Sequence, residues 1–147
     1  LRTLRTAADE IRVHPGTNFN HVQNAAESAF DRLDGCDERR YVRGCSGFAG
    51  YARGAIQLAD ASRFSTEMSS LIGSSKWSEW GSEQVTSSYL IANAPGAVVL
   101  PLNRYGVHAP NNDLSNAAFV HFLGTHRFRY GTYATMVTDL IGSLGGS

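Results

Sequence analysis

Apolar positions recur at three- and four-residue steps in several stretches, the spacing that gives a helix one buried face. Phe19, Val22, Ala26, Ala29, Phe30 and Leu33 make such a row, which ends near Asp34-Gly35 and has Thr17 or Asn18 available as its cap. A shorter helix is predicted over residues 3–13, stopped by His14-Pro15-Gly16. Residues 55–72 read as helix, with a break near Asp60-Ala61-Ser62 and Gly73 as the C-terminal stop. Another helix opens at Ser82-Glu83-Gln84, with Ser82 as the cap and Glu83 at the positive end of the dipole. The last helix covers residues 131–144 and turns Tyr133, Met136, Val137, Leu140 and Ile141 inward.

Strand-like patterns are fewer. Tyr41-Val42-Arg43 starts one that runs on to Gly54, with glycines among small and aromatic residues. Residues 97–100 form a second, stopped by Pro101, and residues 117–123 a third, interrupted only by His121. Residues 74–81 and 102–116 read as loops, the latter long for a connector. These elements give an α/β chain with a small mixed sheet flanked by helices. It is organised as a single domain over residues 1–147, with a helical lead-in over 1–40 and the chemistry-bearing region over 41–144.

Composition narrows the field. The chain has 147 residues, enough for a real core, and 42% of them are hydrophobic. Thirteen basic side chains balance thirteen acidic ones, so charge gives no case for a nucleic-acid or anionic-membrane partner. Lys76 is the one lysine, and the arginines that carry the remaining positive charge suit phosphates and carboxylates. Cys36 and Cys45 lack the spacing of a zinc or redox motif and are expected as free thiols, with Cys45 buried. No apolar run reaches the length of a membrane span, which points to a cytoplasmic protein or one peripheral to a membrane. The start lacks Met and the strands are few, as expected of a piece of something longer.

The stretch with most chemistry is Phe119 to Phe128. A strand carries His121, breaks at Gly124 and releases Thr125, His126 and Arg127, an arrangement able to hold a metal ion and the anion it neutralises. It reads equally as a core histidine followed by an ordinary turn. Asp31, Asp34 and Asp37 lack the alternation and glycine of a calcium loop. The aromatic residues Trp77, Trp80, Tyr89 and Tyr105 could stack on sugar rings or simply fill a core.

His121-Phe122-Leu123-Gly124-Thr125-His126-Arg127 resembles the His-Phe/Tyr-x-Gly-x-x-Lys motif of nucleotide-sugar glycosyltransferases of the glycogenin and bacterial lipopolysaccharide galactosyltransferase type. Ser46-Gly47-Phe48-Ala49-Gly50 looks like that family's sugar-facing strand, and Glu83-Gln84 like its acidic-Gln helix start. The resemblance covers residues 41–144 and implies the C-terminal half of a nucleotide-diphospho-sugar transferase fold. It implies His121 as a ligand of a divalent metal, manganese, and Arg127 as a contact to the donor diphosphate. Gly124, Ser46, Gly47, Gly50 and Trp80 would line the substrate site, and Glu83 and Gln84 would be catalytic beside the transferred sugar. The implied activity is transfer from a nucleotide-diphosphate sugar to a saccharide or lipid-linked acceptor. The family's Asp-x-Asp metal pair is missing here, so an upstream nucleotide-binding half is expected to complete the site, the alternative being a divergent family without the metal; an upstream domain or a homo-oligomer is the expected partner. The alternative is a non-catalytic carbohydrate-binding or assembly domain.

Overall fold

A computed structural model describes residues 21–101, 103–108, 113–122, 127–128 and 130–145. The expected helix at 3–13, the caps Thr17 and Asn18, and the site residue Gly124 lie outside the described residues. The chain divides into two compact units, Leu1–Val99 and Leu100–Ser147.

The described part of the first unit is helical. It contains α1 (His21–Ala29), α2 (Leu58–Ile72), the short α3 (Ser74–Trp77) and α4 (Ser82–Asn93). Helix α1 continues as a 3-10 turn over Phe30–Arg32. The predicted row is the buried one: Val22, Ala26, Ala29, Phe30 and Leu33 all face the core. Phe64 and Met68 of α2, four residues apart, meet them together with Trp77 and Val85. Phe64 is the hub. Its ring lies almost parallel to Tyr89 at a centroid distance of 3.8 Å and meets Trp77 edge-on at 6.0 Å. Phe30 stacks on it at 6.3 Å and leans on Tyr41 at 4.4 Å.

Helix α2 runs unbroken, contrary to the break expected at Asp60-Ala61-Ser62. Asp60 sits in its first turn, where a carboxylate suits the helix dipole, and pairs with Arg63 at 2.6 Å. The helix starts at Leu58 rather than at 55, because Gly54 adopts a left-handed φ of 75° and the Gln57 side chain donates to its carbonyl. Gly73 ends it as predicted, with a φ of 89° that only glycine adopts without strain. The cap of α4 is Gly81, not Ser82, and Glu83 reaches back to accept the Gly81 amide at 3.0 Å.

The strand expected from Tyr41 to Gly54 does not form. Its first half is extended, but its partners are side chains of helix α4. Asn93 accepts the Arg40 amide at 3.0 Å and donates to the Arg40 carbonyl at 2.8 Å, and Ser88 Oγ accepts the Gly44 amide at 3.2 Å. Ser46–Phe48 then winds into a 3-10 turn that packs on α4. Residues 97–100 are likewise irregular rather than a strand, although Val99 packs on Val42 and Ala92. Arg39 grips Glu67 of α2 through both guanidinium nitrogens, the second contact at 3.1 Å. Cys36 and Cys45 are free thiols and both are half-buried, Cys45 with its pKa raised by burial.

The second unit holds a two-stranded parallel sheet, β1 (Tyr105–Val107) and β2 (Phe119–His121), and helix α5 (Thr132–Gly145). Strand β1 falls inside the predicted 102–116 loop, where three strand-forming positions were too short a run to stand out. The register pairs Tyr105 with Phe119 and Val107 with His121. The described sheet is thus parallel rather than mixed. Beyond β2, Phe122 stacks on the buried His108 at 4.8 Å and meets Tyr133 of α5 edge-on at 5.2 Å. The predicted inward face of α5 is exposed: Tyr133, Met136, Val137, Leu140 and Ile141 all remain accessible. No described helix is long and apolar enough to cross a membrane.

Removing the hub decides how far this core is shared. Phe64→Ala is expected to cost ~3–5 kcal/mol in urea unfolding of the chain. Leu58→Ala, at a side chain 83% exposed on the same helix, should stay within ~0.5 kcal/mol of the parent.

Candidate functional site

Two places carry the expected site residues, one in each unit. In the first, an open cleft of about 640 Å³ lies between helices α2 and α4. Helix geometry brings its wall together: Ser62 and Ser65 share a face of α2, and Ser82, Glu83, Thr86, Ser87 and Leu90 share one of α4. Trp77 closes one side and Tyr51 another. Trp77 is buried in the core, yet its indole N–H donates to Ser65 Oγ at 2.8 Å, so one aromatic serves both core and cleft. Ser65 keeps its own O–H proton to give. Tyr51, half-exposed, shares a short hydrogen bond with Ser87 through their hydroxyls. Thr86 donates to the Ser82 carbonyl at 2.9 Å. Among the described residues the only charged side chain on the wall is Glu83, whose Oε2 takes the Gly81 amide and whose Oε1 has no hydrogen-bond partner among them. The described wall is rich in hydroxyls, carries one carboxylate and has no cation.

The sequence-predicted residues distribute unevenly about this cleft. Glu83 lies on it. Gln84 does not: its Nε2 donates to Gln23 Oε1 at 2.8 Å, tying α4 to α1. Ser46 and Gly47 sit in the exposed 3-10 turn packed on α4, and Gly50 is exposed beside Tyr51. Trp80 is 69% exposed and off the cleft wall, while Tyr89 is spent on Phe64. Sequence reasoning missed Tyr51, Ser62, Ser65, Thr86 and Ser87. The signal that would have found them is hydroxyl residues at three- and four-residue steps, a pattern sought only for apolar side chains.

In the second unit, half-buried His121 ends β2, and its carbonyl accepts the His108 amide at 2.9 Å. Burial first and the Arg127 charge second lower its imidazole pKa. Arg127 is exposed, with its guanidinium 5.8 Å from the Phe128 ring centroid. A depressed pKa keeps the imidazole in the neutral form a metal requires, but the same guanidinium repels a cation. Among the described residues no three or more His, Cys, Asp or Glu side chains gather into a metal-holding group. Among the described residues His121 is thus one donor, and a divalent cation needs several. Tyr105 belongs to β1 of this unit. No family model, curated protein or solved structure matches the chain.

The depressed His121 pKa has a definite sign. The unfolded chain binds the proton at a higher pH than the folded one, so this contribution to stability is complete above the usual histidine range. It is lost as pH falls toward the folded value. An NMR titration should find the His121 midpoint below that of an exposed histidine. Arg127→Ala should move it part of the way back up, because burial is the larger cause. A midpoint at or above the usual value would contradict the structure.

Proposed function

We propose that the chain is a carbohydrate-binding domain that holds its saccharide in the α2–α4 cleft of the first unit. The observation that carries this reading is the composition of the wall. Hydroxyls of Tyr51, Ser62, Ser65, Ser82, Thr86 and Ser87 stand beside the rings of Tyr51 and Trp77. Sugars present both hydroxyl edges and apolar faces, and such a wall answers each with hydrogen bonds and aromatic surface. The lack of a cation among the described wall residues favours the sugar itself over a nucleotide diphosphate. Calorimetric titration with a panel of oligosaccharides, without nucleotide or metal, should reveal saturable binding. Tyr51→Ala should weaken that binding about ten-fold, ~1.4 kcal/mol, with the melting temperature little changed, since Tyr51 lies outside the core cluster. Unaltered affinity in that variant would remove the cleft from consideration.

One observation favours the narrower reading of glycosyl transfer from a nucleotide-diphosphate sugar. The turn bearing Ser46 and Gly47 packs on α4, the helix that opens with Glu83-Gln84, so one helix joins the elements that carry two pieces of the resemblance. Under this reading the resemblance assigns Glu83 to the sugar, His121 to a metal and Arg127 to a phosphate. Manganese with a nucleoside diphosphate should then raise the melting temperature, and His121→Ala should abolish the rise. Saccharide binding with no such thermal shift leaves the binding-domain reading alone.

A further inference from the structure

We propose that the cleft selects its saccharide by charge, taking a sugar that bears a free amine and pairing its ammonium with Glu83. This rests on the saccharide-binding reading of the same cleft. Among the described residues Glu83 is the one carboxylate on the wall, and no lysine, arginine or histidine of theirs lies there to compete for it. Its two oxygens are divided in use. Oε2 accepts the Gly81 amide at 3.0 Å, which fixes the carboxylate at the first turn of α4, while Oε1 is left to a ligand. The surrounding hydroxyls of Ser62, Ser82 and Ser87 act as donors or acceptors to sugar hydroxyls without adding charge. A uronate or phosphorylated sugar would bring a second negative charge beside Glu83 with no cation to offset it. An N-acetylated sugar would offer no charge at all.

The size of the effect follows from exposure. Glu83 is accessible to water, so the pair is screened, and an exposed ion pair changes affinity about two- to five-fold rather than by orders of magnitude. The test compares three oligosaccharide probes of equal length at pH 6 and low salt: glucosamine oligomers, N-acetylglucosamine oligomers and galacturonate oligomers. The glucosamine oligomer should bind two- to five-fold more tightly than its N-acetylated form, and the galacturonate oligomer should bind least. Glu83→Gln, whose amide oxygen still caps Gly81, should equalise the first two and preserve the melting temperature. The advantage of the amine should also shrink in high salt. Equal affinity for amine and N-acetyl probes in the parent chain overturns the charge selection while leaving the cleft as a saccharide site. So does an amine preference that survives Glu83→Gln. Failure of all three probes to bind overturns the saccharide reading itself.

Discussion

A line of polar side chains, buried at Gln23 and Tyr41, is the constraint on which the first unit depends. Gln84 of α4 donates to Gln23 of α1, Gln23 donates to the Tyr41 hydroxyl at 3.1 Å, and Tyr41 bonds in turn with Glu27. Glu27 lies 2.9 Å from Arg43, which also reaches Asn24. Withdrawing such groups from water is costly unless each finds its partner, and the directional bonds linking Gln84, Gln23 and Tyr41 permit fewer arrangements than an apolar contact does. Burial, and after it the Glu27 charge, raises the Tyr41 pKa, so the phenol stays protonated and keeps its donor. Two helices and the extended segment at 41–43 are thereby held in a single register. The aromatic cluster around Phe64 supplies the apolar driving force, but it is the polar line that says where each piece goes.

The cleft inherits its geometry from this arrangement. Its walls are the outward faces of α2 and α4, whose inward faces meet through Phe64, Tyr89 and Val85. Trp77 joins the two layers, with its ring in the core and its indole N–H on a cleft serine. A wall built on helices with a packed underside is preformed, so little ordering remains to be done when a ligand arrives.

What could be read in advance follows a physical line. Periodicity located α1, α2, α4 and α5, because burying one helix face leaves a repeat that any reader can count. Strand residues 119–121 stood out through Phe119 and Val120. Extended backbone was also legible at Tyr41 and Val42, but its pairing was not, since Asn93 and Ser88 look like ordinary polar residues of a helix surface. The same ambiguity hid the cleft: Ser62, Ser65, Thr86 and Ser87 carry no motif, and only their shared faces give them meaning. Gln84, singled out by a motif, also ties α4 to α1, a role its position in the sequence did not announce. The α5 stripe illustrates the limit of periodicity, which reports that a face is apolar without reporting what covers it.

The segment at residues 40–44 shows where the instructions for a backbone path can be stored. Arg40 and Gly44 enter their contacts with α4 through main-chain atoms, which every residue type except proline supplies in full. The side chains that specify the path, Asn93 and Ser88, lie some fifty residues downstream on another element. In a β-ladder both strands share that specification and open as a zipper. Here, at Arg40 and Gly44, side chains of the helix write it through separate contacts. At Arg40, held through its main chain, substitution is therefore better tolerated than at Asn93, which holds it, whereas Tyr41 and Val42 are fixed by their own buried side chains.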